Sequence, residues 1–219
     1  MKMIRLISQL SIAFGIYLSL SSCSSNDPAP VALTAVTYKN LAADPPSGGY
    51  NPTNGAPIGV TKKFTFFSFK TGQLVVNADS ATNKWDVGFN GTTLIINGGP
   101  QRSGNGGAIV STGIFTDLTT APDTGYDQDS IVTVNGTPKK TYAIPTGSGK
   151  GWYSYDPTKN TITPIAGKFL VIKTGDGRYA KMEIISYYKD APATITSSTP
   201  DRYYTFRYVY QGDGSKNLK

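Results

Sequence analysis

The sequence contains no histidine, and it has only one cysteine, Cys23, and one glutamate, Glu183. Without histidine the chain cannot build a Ser-His-Asp or Cys-His catalytic arrangement, a common zinc site or a histidine general base. With a single cysteine it can form neither an intrachain disulfide nor a paired-cysteine metal site. Asp and Glu total 14, so the other thirteen acidic residues are aspartates, and no pair of them stands out as catalytic. We therefore expect a protein that is not an enzyme and has no metal-ion site of its own.

Charge is also scarce, since only 16% of residues are charged and the formal net charge is +7. The basic residues are scattered along the chain, and Lys62-Lys63 and Lys139-Lys140 are the only adjacent basic pairs. Nucleic-acid binding needs a denser basic stripe than this. We therefore expect no nucleic-acid partner.

Residues 1–22 have the pattern of an export signal. Lys2 and Arg5 form a charged start, and the apolar run from Leu6 to Leu20 is too short and too interrupted for a membrane span. The run ends in Leu20-Ser21-Ser22-Cys23, which resembles the lipobox of bacterial lipoproteins. The resemblance implies that the Cys23 thiol receives a diacylglycerol and that the new N-terminus is acylated, for example with palmitate. The alternative is an ordinary cleaved signal with a chance cysteine beside the cleavage site.

The rest of the chain divides where its composition changes. Residues 23–60 are predicted to form a tether and an irregular N-terminal segment, and the tether begins with the polar, proline-containing stretch 24–30. Residues 61–214 are predicted to form one β-rich domain, followed by a C-terminal tail at 215–219. Helical periodicity is nearly absent after the leader, and residues 79–84 have room for one helical turn at most.

Within the predicted domain, short strands alternate with turn residues. Two pairs of strands are separated by Asn-Gly, at 90–91 and at 135–136, and this dipeptide tolerates the positive φ angles of a type I′ turn. The strands are predicted at 64–69, 73–76, 85–89, 92–97, 130–134, 140–144, 169–174, 178–188 and 202–210. The pattern predicts an all-β fold, an antiparallel and sandwich-like domain of two layers.

Three large apolar side chains are candidates for the core. Met182 shares one face of its predicted strand with Ala180 and Ile184, so we expect it to be buried. Trp85 and Trp152 are expected to anchor the core as well. The alternative for each of the three is a place in a binding site.

Three long loops are candidates for function because of their length and composition. They are a glycine-rich loop at 97–107, an acidic loop at 121–129 and a second glycine-rich loop at 146–151. Neither glycine-rich loop matches a phosphate-binding motif that opens a helix. Asp117, Asp123, Asp127 and Asp129 leave calcium open as an alternative, but their spacing is not that of an EF-hand, and we interpret them as solvated loop acids.

Several motifs follow one another in an order that resembles a known family. They are Trp85-Asp86-Val87-Gly88-Phe89, Ile95-Ile96-Asn97-Gly98-Gly99, the Gly151–Asp156 segment, the Gly167–Tyr188 segment, and Arg202–Tyr208. This order resembles the HmuY-like family of haem-scavenging lipoproteins over roughly residues 60–214, and the stretch from Gly167 to Tyr188 is its most specific part. The resemblance implies an all-β domain with two projecting β-hairpin fingers that hold one haem. It also implies a location at the outer membrane, transfer of haem to a TonB-dependent receptor, and no enzymatic activity.

The resemblance does not extend to the family's known iron ligands, which are two histidines or, in some relatives, two methionines. This chain has no histidine, and Met182 belongs to the scaffold motif rather than to the finger loops. Tyrosine binds ferric haem as phenolate, and lysine is the other ligand that remains. Tyr126 and Tyr142 lie in the variable middle of the chain where the fingers are expected, and they are our candidate haem-binding tyrosines. The alternative for both is an ordinary position beside a strand.

Basic residues in or near the predicted finger loops are candidates for contacts with haem propionates, and Arg102 and Lys140 are the principal ones. The full set is Arg102, Lys139, Lys140 and Lys150, for which solvated surface charge is the alternative. We therefore predict an outer-membrane, lipid-anchored and surface-exposed protein that binds haem or a related planar tetrapyrrole for uptake. The alternative is a non-haem binding module on the same scaffold, for a glycan, a peptide or a partner protein.

Overall fold

The computed structural model describes residues 32–219, which form thirteen β-strands and two short 3₁₀ helices, Asn77–Asp79 and Phe115–Asp117. The strands are β1 (Val36–Ala42), β2 (Thr65–Ser68), β3 (Gln73–Val75), β4 (Val87–Asn90), β5 (Thr93–Ile96), β6 (Gly107–Thr112), β7 (Ser130–Val134), β8 (Thr137–Thr141), β9 (Tyr153–Asp156), β10 (Thr161–Pro164), β11 (Lys168–Lys173), β12 (Tyr179–Tyr188) and β13 (Asp201–Gln211). Over this described range, no helix has the length and apolar character needed to cross a membrane. The predicted leader and its lipid-attachment residue Cys23 lie outside the described residues.

Most of the strands belong to two antiparallel sheets. The larger sheet has five strands in the order β1-β13-β12-β11-β6, and the smaller has four in the order β3-β2-β4-β5. Two further hairpins, β7–β8 and β9–β10, form separate two-stranded sheets. The prediction of an antiparallel all-β fold with hairpins outside the main layers is therefore confirmed.

Aromatic side chains from both sheets meet in the main core. Phe67 on β2 packs edge-to-face against Phe206 on β13 with ring centroids 5.2 Å apart, and Phe89 on β4 lies 5.0 Å from Tyr204. Such offset and edge-on ring pairs add stability beyond the area they bury. Met182 belongs to the same cluster and is fully buried, so its predicted place in the core is confirmed.

The two tryptophans anchor different parts of the interior. Trp152 is buried in the main core, where its indole N–H donates to the carbonyl of Thr92 at 3.0 Å. Trp85 is buried in a smaller cluster with Phe66 and Ile95, and its N–H donates to the carbonyl of Ser80 at 3.0 Å. Both tryptophans are therefore core residues, as predicted.

The other face of the five-stranded sheet is covered as well. A second apolar cluster there contains Phe115, Phe169 and Val171. Lys181 points into this layer, where it is buried and its ammonium donates to the carbonyls of Phe115 and Leu118 at 3.0 and 2.7 Å. These bonds satisfy a charge that would be costly to bury alone.

The two ends of the described chain are more ordered than the sequence indicated. The segment 23–60, expected to be irregular, contains β1, which pairs with β13 at the edge of the large sheet. A bulge with positive φ at Asn40 interrupts this strand, so its side chains lose the strict alternation that reveals a strand. The tail at 215–219 also packs on the domain, because Leu218 is buried in the second cluster.

Besides β1, three further strands were not predicted, and one was misplaced. Strand β6 follows directly on the glycine-rich loop, and β9 and β10 are only four residues long, so none of them shows a clear local pattern. Strand β8 was expected at 140–144 but runs from Thr137 to Thr141. The two-residue turn before it fixes this register, and an exposed two-stranded hairpin tolerates Pro138 within the strand.

The two Asn-Gly turns differ from each other. Asn135 and Gly136 both have positive φ, at 49° and 76°, as the predicted type I′ turn requires. In the first hairpin only Gly91 has a positive φ angle, of 51°, because Asn90 pairs with Thr93 as part of the ladder. The prediction of a type I′ turn at 90–91 is therefore wrong, and the turn is centred one residue later, on Gly91-Thr92.

Candidate functional site

The hairpin β7–β8, which we call the finger, is the most exposed regular element of the described chain. Every residue from 131 to 140 is exposed, and the two strands pair only with each other. Ile131 lies opposite Lys140 and Val132 opposite Lys139, so one face of the finger carries Ile131 beside Lys140, and the other carries Val132 and Val134 beside Lys139. Because residues 130–141 include no acidic side chain, the finger is both apolar and positive.

A buried carboxylate holds the base of the finger. Asp129 accepts hydrogen bonds from the backbone N–H groups of Ala143 at 3.0 Å and Ile96 at 3.1 Å, and its side chain pairs with the guanidinium of Arg102 at 3.1 Å. Both ends of the finger are thereby tied to β5. Burial raises the pKa of Asp129, and the backbone donors and the arginine act against that shift.

The glycine-rich loop beside the finger is held on the scaffold by contacts of Asn97 and Gly99. The amide of Asn97 donates to the carbonyls of Thr82 and Trp85 at 2.9 and 2.8 Å, and its side-chain oxygen accepts from the N–H of Gly104 at 3.2 Å. At Gly99, with φ 97°, a Cβ would lie 1.9 Å from the carbonyl oxygen of Asp129. These residues are therefore structural, and they bring the loop against the finger base.

A pocket of about 290 Å³, which we call the finger pocket, lies where the finger, the glycine-rich loop and β5 meet. Three of the four predicted site residues, Arg102, Lys140 and Tyr142, line it together. The complete lining is Phe64, Ile95, Gln101, Arg102, Asp129, Ser130, Ile131, Lys140, Thr141 and Tyr142. Residues distant in sequence thus converge on one site.

The chemistry of the finger pocket combines one phenol, two cations and an apolar wall. Arg102 lies over the indole ring of Trp85, 5.3 Å from its centroid, while its charge is partly neutralised by Asp129. Lys140 is exposed and forms no ion pair with another described residue. Tyr142 is half-buried against the Trp85 cluster, and its hydroxyl makes no hydrogen bond within residues 32–219. The site can therefore receive an apolar ligand that carries acidic groups.

Tyr126, the fourth predicted residue, is not part of this pocket. It packs against the second apolar cluster, 6.1 Å from the ring of Tyr179, and its hydroxyl is buried without a partner among the described residues. Burial is the main cause that raises its pKa, which disfavours a phenolate there. The structure therefore separates Tyr126 from Tyr142.

The remaining charged candidates lie apart from the pocket. Lys139 is on the opposite face of the finger from Lys140, and Lys150 is exposed in the loop at 146–151. The acidic residues 117, 123 and 127 are exposed, whereas Asp129 is buried. No group of three or more Cys, Asp or Glu side chains within residues 32–219 is arranged to hold a metal ion.

Asp129 was not predicted as a site residue, because it stands near three other loop aspartates of similar appearance. Its one distinguishing signal is its position directly before the apolar strand Ser130–Val134, where a carboxylate can accept neighbouring backbone N–H groups. Phe64 and Ile131 were missed for a different reason. They looked like ordinary strand residues, and only the fold shows that they face the pocket.

The sequence and the fold were compared with known families and solved structures. The family model described as HmuY protein matches residues 60–208. The fold resembles that of an apo HmuY analogue from Tannerella forsythia, with a TM-score of 0.50 and 14% identity over 83% of this chain and 96% of that one. A candidate HmuY-like heme binding protein from Bacteroides vulgatus has a TM-score of 0.46 and 16% identity, over 83% and 93% of the two chains. A candidate lipoprotein from Bacteroides fragilis has a TM-score of 0.47 and 14% identity, over 84% and 92%. No curated protein matches the sequence.

Proposed function

The chain belongs to the HmuY family, and from this premise we propose that it binds haem, or a related planar tetrapyrrole, at the finger pocket. The observation that carries the proposal is the convergence of Arg102, Lys140 and Tyr142 on one pocket at the base of an exposed hairpin. A family associated with haem binding gives the ligand class, and these three side chains give the chemistry. The pocket of about 290 Å³ lies just below the range of about 300–1,000 Å³ for small-molecule sites. We therefore infer that a tetrapyrrole enters it with one edge only.

Each residue has a distinct role in this proposal. Lys140 and Arg102 offer N–H donors to the propionates, which are otherwise costly to desolvate. Ile131 and Phe64 supply apolar contact to the ring. The rest of the macrocycle lies along the face of the finger that carries Ile131, which is 44% exposed, and the pair Thr133 and Pro138 beyond it.

Tyr142 is the proposed ligand to ferric iron. The chain has no histidine, and the sulfur of Met182 is sealed in the core, so neither residue type is available at the pocket. Phenolate is an anionic donor that favours the ferric state. We therefore expect bound ferric haem to be high-spin, and we expect reduction of the iron to weaken binding.

We also propose that the protein acts as a haemophore-like binding protein rather than an enzyme. It would be anchored in the outer membrane through lipid on Cys23 and would deliver its ligand to a TonB-dependent receptor. The lipobox pattern Leu20-Ser21-Ser22-Cys23 supports the anchor. The lack of histidine and of a recognisable nucleophile and base supports a binding role. Replacement of Cys23 by alanine should release the protein from the membrane fraction and abolish incorporation of labelled palmitate.

The decisive test is a visible absorption titration of the purified full-length protein with ferric haemin. We expect a Soret shift that saturates at one equivalent, and an affinity lowered about tenfold or more, roughly 1.4 kcal/mol, in Tyr142→Phe. Lys140→Gln should weaken binding by a smaller factor. Tyr155→Phe is the matched control, because Tyr155 is a half-exposed tyrosine that does not line the finger pocket.

The same titration with ferrous haem and iron-free protoporphyrin separates ligation from stacking. If Tyr142 ligates the iron, ferric haem binds most tightly and Tyr142→Phe removes that preference. Equal affinities for the three ligands would eliminate the tyrosine ligand. Absence of binding by any of them would refute the haem proposal and favour the alternative, a module for a glycan, a peptide or a partner protein on the same scaffold.

A further inference from the structure

A second cleft, which we call the tyrosine cleft, lies away from the finger. Its walls come from the loop at 50–57, the β4–β5 turn, the β9–β10 hairpin, the end of β12, and the chain at 196–202 that leads into β13. Its volume of about 490 Å³ is well within the range of small-molecule sites, about 300–1,000 Å³. Its lining shares no residue with the finger pocket.

Four tyrosines give the cleft its character. Tyr50 and Tyr155 are each 43% exposed, whereas Tyr187 and Tyr188 are buried beneath them in the edge of the main core. A tyrosine ring offers an apolar face together with a polar tip, so it suits ligands with both kinds of surface. Half-exposed rings on two separate segments of a concave site give such a ligand two surfaces to contact.

Hydrogen bonds within the cleft occupy the side-chain oxygens of Asp201 and Asn160, and they use the hydroxyl protons of Tyr50 and Tyr155. The amide of Asn160 and the hydroxyl proton of Tyr188 remain as donors. The hydroxyl of Tyr50 donates to the carboxylate of Asp201 at 2.6 Å, and the hydroxyl of Tyr155 donates to the side-chain oxygen of Asn160 at 3.0 Å. The amide nitrogen of Asn160 makes no hydrogen bond to another described residue, and the hydroxyl oxygen of Tyr188 already accepts the N–H of Ile162 at 2.8 Å. The cleft therefore presents N–H and O–H groups to a ligand rich in oxygen acceptors.

Backbone strain marks one of the lining residues. Arg202 has φ 61°, a left-handed conformation that is uncommon for a residue with a long side chain. Two hydrogen bonds hold it there, from the N–H of Ala43 to its carbonyl at 2.8 Å and from its guanidinium to the carbonyl of Asp44 at 3.0 Å. Strain that the surrounding structure maintains in this way is concentrated at functional sites.

The charged residues of the cleft indicate which class of ligand it can bind. Asp201 and Arg202 are its only charged lining residues, so the lining is neutral overall. A ligand with phosphate or propionate groups would bind best to a site with several cationic side chains, such as the finger pocket. A purely apolar ligand would leave the amides and hydroxyls of the cleft unpaired. A neutral ligand with many hydroxyl groups and apolar C–H faces can bond to these amides and hydroxyls and can also contact the tyrosine rings.

We propose that the tyrosine cleft is a binding site for a neutral saccharide. Tyr50 and Tyr155 contact the faces of the sugar rings, and the amide of Asn160 and the hydroxyl of Tyr188 bond to its hydroxyl groups. The site is separate from the finger pocket, so it does not depend on whether that pocket binds haem.

Saturation-transfer NMR and calorimetry on the full-length protein test this, with maltose, lactose and N,N′-diacetylchitobiose as neutral probes and glucuronic acid as the charged one. We expect saturable binding of at least one neutral disaccharide and weaker binding of glucuronic acid. Asn160→Asp keeps the acceptor for Tyr155 and tolerates the φ of 50° at this position, but it removes the amide donor. This variant and Tyr155→Ala should each weaken binding about tenfold or more.

Tyr142→Phe is the matched control, since it alters the finger pocket and leaves the tyrosine cleft intact. It should retain the wild-type saccharide affinity, and Asn160→Asp should retain haemin binding. Should Tyr155→Ala prove unfolded by circular dichroism, the nearly isosteric Asn160→Asp decides the question. The proposal is overturned if no neutral probe binds saturably, if binding survives unchanged in Asn160→Asp, or if glucuronic acid binds more tightly than every neutral probe.

Discussion

Two hairpins in this molecule contain the same Asn-Gly dipeptide but have opposite surroundings. In β4–β5 the side chains of Val87, Phe89, Leu94 and Ile96 are at most 1% exposed and belong to the main core. In the finger, β7–β8, every residue between 131 and 140 is exposed. Local turn chemistry therefore does not decide what a hairpin does, and the difference lies in what packs against its faces.

The comparison separates the part of the chain that stabilises the domain from the part that is available for binding. Strand β4 lies between two neighbours in its sheet and contributes rings to the core, so its position is fixed from several sides. The finger is held by its own ladder and by the carboxylate of Asp129 at its base. A ligand or partner can contact both faces of such a hairpin without disturbing the core.

The largest expected difference between the two hairpins concerns side-chain truncation. Phe89→Ala removes a fully buried ring that contacts Tyr204 and Phe206, and we expect it to lower the free energy of unfolding by about 3–5 kcal/mol. Val132→Ala on the finger should change it by less than about 0.5 kcal/mol. Urea denaturation of both variants tests this. Equal losses would show that the finger is packed against the domain in solution.

Features that are set by neighbouring residues could be predicted from the sequence, whereas contacts between distant segments could not. The aromatic strands, the buried Met182 and the turn at Asn135-Gly136 follow from alternation and turn chemistry, and these predictions are confirmed. The pocket was predicted only as separate residues. Arg102 and Tyr142 meet because Asp129 joins segments that are far apart in sequence, and no local pattern encodes those contacts.

The second expected difference concerns how stability depends on pH through two buried carboxylates, Asp86 in the scaffold and Asp129 at the finger base. Asp86 accepts the backbone N–H groups of Phe69 and Gly175 at 2.7 and 3.0 Å, and burial raises its pKa to about 6. Because this pKa lies above the value of the unfolded chain, its contribution to stability is complete below about pH 4 and is lost as the pH rises through 6. A shift of about 2 units corresponds to at most about 3 kcal/mol.

Urea denaturation at several pH values between 4 and 7 should therefore show stability falling as the pH rises. The lowered pKa values of Asp44 and Asp156 place their titration below this window. Asp86→Asn should flatten the profile more than Asp129→Asn does, because Arg102 opposes the effect of burial at Asp129. A wild-type profile that rises over this range would contradict the assignment.

The smallest expected effect concerns the turns at the tips of the two hairpins. Gly91, with φ 51°, and Gly136, with φ 76°, both adopt a backbone conformation that valine disfavours, so each Gly→Val change is strained by about 1–3 kcal/mol. A Cβ on Gly91 would lie 3.6 Å from the guanidinium carbon of Arg202, and the carbonyl of Gly91 accepts the hydroxyl of Tyr204 at 2.8 Å. A Cβ on Gly136 would meet no atom within 4 Å.

Strain at Gly91 is transmitted to the core, whereas strain at Gly136 is relieved by opening the tip of the finger. We therefore expect Gly91→Val to lower the denaturation midpoint, and Gly136→Val to leave it nearly unchanged while amide exchange accelerates at residues 133–137. If Gly136→Val lowered the midpoint as much as Gly91→Val, the finger would unfold together with the domain, and the division between scaffold and finger would fail.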